Sequence, residues 1–442
     1  MTATAVMGLA SCSNDNDPAG GQEVPQGKAT GMQLVLDLGS AATRAINDPN
    51  SDPKETDIEN LHVFIYGANG IFEKEHTIPF ANLTADPNND NVFTTDELAA
   101  TTGAKTIYVG ANMTAGMIGI MKATSANGLS GKGVNEMLAN ITTDNKFVMF
   151  STVGATPTLI EDKDPSPDVT PTENQIQVTL QRLAAKVAVG MSAQLNLLGA
   201  AGTIEDLKFT VDNINKQYFL TYGGAAAKDA NMTKDQYKDT DFELIPNFAA
   251  HADYKDITPN QANNWGVKYA AENLTQDKMM KGVTRIVVQG TFTPANVITV
   301  GGDAAGGWTF TETAGQKNDS YIMLNVGGYA FFVEGTTDEQ LKAWLKVKAG
   351  VDDADLDTEA AKKVLYTEGK NYWWVTVKDN QGDMLRNNYY KVDITSIWAP
   401  GRNDGKFDDK KDDNQIGKET NITVKVTVEP WNMVPFDADL KP

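Results

Sequence analysis

Residues 61–72 read LHVFIYGANGIF. Leu61 to Tyr66 is a short run of branched and aromatic side chains, Gly67 to Gly70 is a turn built from Gly, Ala and Asn, and Ile71 begins a second strand. This is the grammar of an antiparallel hairpin. The same texture recurs in KTIYVGANMT (105–114), TRIVVQGTFT (284–293) and YWWVTVKDNQGD (372–383). Strands this short, punctuated by Gly, Asn and Asp, predict a mainly-β chain of antiparallel sandwiches. Helical signal concentrates in Thr337–Tyr366, where Thr337 and Gln340 form a capping box ahead of Leu341, Trp344 and Leu345. It is expected to be a short helical insertion packed on a sandwich.

A weak internal repeat divides the chain. DIENLHVFIY (57–66) resembles TIEDLKFTVD (203–212), with Ile58, Glu59 and Leu61 matching Ile204, Glu205 and Leu207. An alternating strand precedes each copy, MQLVLDLG (32–39) before the first and AKVAVGMS (185–192) before the second. Each half also closes similarly, with NQIQVTLQR (174–182) and NITVKVTVEPW (421–431). Two tandem sandwiches meeting near Ala184 account for these coincidences, with bodies at 45–184 and 185–431.

Two irregularities break the symmetry. Between the first strand and its IEN strand lies GSAATRAINDPNSDPKETD, a small and polar stretch carrying Arg44, the first arginine of the chain. After the last strand, residues 432–442 (NMVPFDADLKP) remain. Val434, Phe436, Ala438 and Leu440 alternate there with Met433, Pro435, Asp437 and Asp439, so an extended tail has one apolar face. Leu34, Leu36 and Leu38 show the same alternation in the first strand.

The chain has 442 residues, enough for two or three domains, and its single cysteine is Cys12. An internal disulfide and a thiolate metal cluster are both excluded. Leu9, Ala10, Ser11 and Cys12 follow a run of small and apolar residues in the order that lipoprotein signal peptidase requires. Residues 1–11 are therefore expected to be a signal peptide, Cys12 the lipidated first residue, and residues 12–44 a polar tether with a first strand. No Lys or Arg precedes the apolar run, so the signal is expected to begin upstream, with Met1 or Met7 internal to it. No later segment approaches eighteen consecutive apolar residues, the length of a spanning helix. A net charge of −20 disfavours nucleic acid and anionic membrane surfaces as partners.

Enzymatic signatures are sparse. The three histidines are His62, His76 and His251, with His62 expected to face solvent from its strand, and no HExxH, GxSxG or Walker A pattern occurs. Asp86, Asn88, Asp90 and Glu97 fall at calcium-loop positions one, three, five and twelve. However, Asn91 replaces the sixth-position Gly, Pro87 is awkward at the second, and a solvated β loop is the simpler expectation. Neither a cofactor nor a catalytic residue is expected.

In their shared order, these segments resemble the fimbrillins, or type V pilins, of Bacteroidia. The resemblance runs through Cys12, IENLHVFIYGANG, IYVGANMT (107–114), VTLQRLAAKVAV (178–189), EGKNYWWVTV (368–377), LRNNYYKVDITSI (385–397) and VTVEPW (426–431). It implies two transthyretin-like sandwiches, export by the lipoprotein machinery to the outer membrane, and extracellular polymerisation with copies of itself and other fimbrial subunits. It further implies that a trypsin-like or arginine-specific protease cuts between Arg44 and Ala45. The strand of Leu34, Leu36 and Leu38 would then leave, and a neighbour's C-terminal strand would fill the groove. The complete tail fits a shaft or adaptor subunit. The alternative is a non-polymerising surface lipoprotein, either a fimbrial anchor or a glycan-binding adhesin with a host or bacterial surface ligand.

Overall fold

The structure is a computed structural model that describes residues 27–38, 55, 57–143, 146–161, 172–191, 201–222, 238–260, 265–275, 279–377, 382–408 and 422–431. Ahead of residue 183 its main strands are β1 (Ala29–Asp37), β2 (Asn60–Gly67), β3 (Phe72–Pro79), β4 (Thr84–Asp86), β5 (Asn89–Thr94), β6 (Leu98–Thr101), β7 (Gly103–Ala111) and β8 (Gln175–Thr179). One sheet has the order β8, β1, β5, β4, with β6 also paired to β1. A second runs from Gln181–Arg182 through Met149–Phe150 to β7, β2 and β3. The opening stretch is indeed the hairpin β2–β3. Gly70 sits at φ +77°, a conformation that costs glycine nothing, and Gly67 N–H donates to Ile71 O at 2.9 Å across the turn.

Beyond residue 183 the pattern recurs in β9 (Ala184–Gly190), β10 (Gly202–Asp212), β11 (Gly266–Ala271) and β12 (Arg285–Pro294). An inserted region contributes β13 (Asn296–Asp303), β14 (Gly307–Ala314), β15 (Tyr321–Asn325) and β16 (Tyr329–Val333), and the chain continues through β17 (Lys370–Val375), β18 (Asn388–Ile397) and β19 (Ile422–Pro430). One sheet is ordered β11, β9, β18, β19; another joins Lys255–Asp256, β10, β12 and β17. The repeat is thus visible in the ladders. β1 runs parallel to β8 as β9 runs parallel to β18, and the chain then crosses to the other sheet at β2 and at β10. The closing segments do not correspond as their sequences suggest: the counterpart of β8 by pairing is β18, whereas β19 is a further edge strand antiparallel to β18.

Two expectations about helices need correction. The insertion is more than a helix: β12 and β17 are paired neighbours, and the chain between them folds into a sheet ordered β14, β13, β16, β15 and Val364–Tyr366. Helix α2 (Asp338–Val347) lies on it with the expected capping box, burying Leu341 and Leu345 against Ile298, Val300, Leu324 and Phe332. The first half also holds a helix, α1 (Ala115–Ala123), capped by the Thr114 hydroxyl and burying Met117 and Met121. Gly116 and Gly119 lower its propensity and hide it in sequence. No helix among the described residues is long and apolar enough to cross a membrane.

Candidate functional site

β1 is an interior strand. It pairs with β8 on one side, from Gln33↔Gln175 to Asp37↔Thr179, and with β5 and β6 on the other. Its alternation is expressed as burial: Met32, Leu34 and Leu36 are fully buried and Leu38 nearly so, while Gln33, Val35 and Asp37 are half-buried. Side-chain bonds supplement the ladder. Thr95 Oγ1 accepts from Leu34 N–H at 3.1 Å, and Asn174, itself wholly buried, donates to Gly31 O at 2.8 Å and accepts from Ile160 N–H at 2.9 Å. At the exposed start of the strand, Lys28 pairs with Glu161 at 2.9 Å. Taking β1 away would uncover N–H and C=O groups on both flanking strands and open a slot lined where three leucines and a methionine had been.

A second constellation joins the two halves. Glu55, ten residues past Ala45, is 4% exposed. Its carboxylate accepts from Lys186 Nζ at 2.8 Å, Tyr269 OH at 2.6 Å and Trp431 Nε1 at 3.0 Å. Its carbonyl accepts from Arg182 Nε at 3.1 Å, and Arg182 Nη1 donates to Trp431 O at 2.8 Å. The Trp431 ring stacks on Tyr269 at 5.6 Å, meets Phe147 edge-on at 5.5 Å and lies 4.5 Å below the Arg182 guanidinium. Arg182 Nη2 is buried and has no hydrogen-bond partner among the described residues.

Arg182 and Arg386 show what the surroundings of a buried guanidinium decide. Burial lowers the Arg182 pKa to about 10, opposed by Glu55 and Tyr269, since its direct partners are carbonyls. Burial also works against the charge on Arg386, but Glu272 and the Tyr222 phenol outweigh it and hold its pKa above the ordinary range. There the carboxylate takes two bonds, Nε to Oε2 at 2.9 Å and Nη2 to Oε1 at 2.6 Å.

Cys12, Arg44, Ala45, Val434, Phe436, Ala438 and Leu440 lie outside the described residues. The fold does carry Asp86, Asn88, Asp90 and Glu97, but as a β-hairpin: Pro87 and Asn88 form the turn between β4 and β5, Asn88 N–H donates to Asp86 Oδ1 at 2.8 Å, and Glu97 follows the far end of β5. Glu97 instead covers Gly31 of β1, where a Cβ would come within 2.0 Å of its carboxyl carbon. No group of three or more His, Cys, Asp and Glu side chains among the described residues is placed to hold a metal. His62 does not face solvent; it is buried, with Nδ1 2.8 Å from Glu75 Oε1. Tyr372, Trp373 and Trp374 are all buried, so they form no exposed aromatic platform.

Two family models match the chain, together over more than half its length. Residues 31–195 match the model described as major fimbrial subunit protein (FimA), and residues 364–435 match that of the major fimbrial subunit protein type IV, fimbrillin, C-terminal region. A candidate cell adhesion protein from Parabacteroides distasonis has a similar fold at 14% identity, with a TM-score of 0.52 over 91% of this chain and 99% of that one. A fimbrilin from Porphyromonas gingivalis does so at 15% identity and a TM-score of 0.50, over 92% of this chain and 98% of that one. No curated protein matches it in sequence. With its mainly-β fold of several packed sheets, the chain belongs to the fimbrillin family and is a structural subunit of surface fimbriae.

Proposed function

We propose that this subunit polymerises by protease-triggered donor-strand exchange. The observation that supports the reading most directly is the setting of β1, an interior strand with an apolar inner face that precedes Arg44 in the chain. Cleavage between Arg44 and Ala45 would leave β1 attached only by its ladder and its buried face. Its departure would open a slot between β8 on one side and β5 with β6 on the other. Residues 432–442 of a second copy would enter it, with Val434, Phe436, Ala438 and Leu440 turned inward. Burying Val434, Phe436 and Leu440 would contribute roughly 1.5–3 kcal/mol each as an upper range. A contact between a tail and another subunit's slot does not close on itself, so it builds a filament.

The same reading takes 1–11 as a signal, Cys12 as the site of lipidation before outer-membrane export, 12–44 as the released propeptide, and 45–184 and 185–431 as two sandwich bodies in the filament shaft or an adaptor position. N-terminal sequencing of protein stripped from surface filaments is expected to begin at Ala45. Deleting 432–442 is expected to leave a folded, matured monomer, because β19 already pairs with β18 in its own sheet. Filaments that begin at Cys12 would overturn the maturation step, and normal filaments from the deletion would overturn the tail as donor. Labelling with a lipid precursor is expected to mark the intact chain and to be lost in Cys12→Ala.

A further inference from the structure

We infer that the Glu55 and Trp431 cluster is a tension clasp, which keeps β19 from peeling off its sheet when the tail is pulled. The inference rests on the donor-strand reading, in which each subunit is held in the filament through its tail. Trp431, directly after β19, is the residue through which a load on residues 432–442 must enter the fold. β19 is an edge strand with β18 as its one partner among the described residues, paired from Asn388↔Pro430 back to Ile397↔Ile422. A pull on the tail reaches the Pro430 end first, so the ladder would open one bond at a time. Sequential opening resists far less than simultaneous loading of every bond, because each net backbone bond contributes little.

At the point where peeling must start, Trp431 is held by every polar group it has. Its N–H donates to Asn387 O at 2.9 Å, its carbonyl accepts from Arg182, and its indole N–H donates to Glu55. Those partners come from separate places: the turn before β18, the strand pairing Gln181–Arg182, and the segment ahead of β2. Glu55 passes the load onward to Lys186 of β9 and Tyr269 of β11. Two of the three bonds, those with Arg182 and Glu55, involve buried charged groups, and breaking either leaves a buried polar group short of a partner, which makes each costlier than a ladder bond. The clasp also fixes the body from residue 55 onward, so cutting after Arg44 leaves the anchorage of β19 intact.

Force spectroscopy on the full chain carrying Cys12→Ser tests this. One handle is attached at Lys362→Cys, and the other either beyond Pro442 or at Lys406→Cys; Lys362 and Lys406 are both exposed and both lie in the second half, so a pull between them does not cross the junction of the halves. Loading through the tail is expected to peel β19 as a first step releasing about 30 Å of chain. Trp431→Phe, which keeps the ring, and Glu55→Gln, which keeps an acceptor, are each expected to raise the rate of that step by about tenfold or more. Loading through Lys406 is expected to give unchanged rates in both variants. Unchanged tail-loaded rates, or equal acceleration in both pulling geometries, would overturn the clasp. Because the pull is made on a single chain, its outcome is independent of the 432–442 deletion that tests the donor itself.

Discussion

β1 and β9 occupy equivalent positions in two ladders yet differ in what holds them. Each runs parallel to a later strand and antiparallel to others. All seven residues of β9 are buried, so it is packed on both faces, whereas β1 buries one face and leaves Gln33, Val35 and Asp37 half-buried. The neighbours of β9 are also fastened to each other without it. Arg386, just before β18, clamps Glu272, just after β11. Beside β1 the corresponding fastening is to the strand itself, through Asn174 and Thr95. One ladder is a closed frame, and the other depends on the strand that occupies it.

The largest expected effect comes from a chain beginning at Ala45. Loss of four buried side chains removes roughly 6–12 kcal/mol of apolar burial as an upper range. Amide exchange is expected to accelerate throughout β5, β6 and β8 and to stay slow in β9, β11 and β18. A synthetic peptide of residues 28–38 should restore protection. Loss of protection in both halves at once would show that β1 supports the whole molecule rather than one ladder.

Next in size, Arg386→Met leaves the buried Glu272 carboxylate without its cation, with the Tyr222 hydroxyl still donating to it, which costs about 3–5 kcal/mol in urea denaturation. Lys28→Ala removes the exposed ion pair at the start of β1 and is expected to cost less than about 1 kcal/mol. Similar losses for the two would erase the contrast between a closed and an open frame. Asn174→Ala should lie between them, at about 1–3 kcal/mol, because Gly31 O and Ile160 N–H both lose a buried partner. Its effect should appear chiefly as faster release of the 28–38 peptide from the reconstituted chain.

What was legible in the sequence was local. The hairpin at 61–72, the capping box at Thr337 and the alternation of Leu34, Leu36 and Leu38 are each written within a few residues, and all form as expected. The flanking of β1 on both sides is not local, since Gln175 and Thr94 meet it from distant segments. Glu55 lies in a polar stretch that reads as loop, and its partner Trp431 is 376 positions away. His62 misled because its strand is covered on both faces, so that alternation no longer marks the solvent side. The closing strands misled because β8 and β19 are similar as amphipathic sequences, and only their partners tell them apart.

The smallest expected effect tests how β6 is held against the second sheet. His76 on β3 lies with Nε2 2.9 Å from Ala99 O, and Ala99 belongs to β6, which pairs with the first residues of β1. Burial lowers the His76 pKa, the Ala99 carbonyl opposes that shift, and Lys74 adds to it. The unfolded chain therefore takes up this proton at a higher pH than the folded one. The contribution of His76 is fully present above its unfolded value of about 6.5 and is lost as pH falls through the lower folded value. Exchange at β6 should rise over that window, while β11, the antiparallel neighbour of β9, should not respond. His76→Gln keeps a donor for Ala99 O and cannot titrate, so it should flatten the dependence at β6. An unchanged dependence in that variant would assign the acid response to another group.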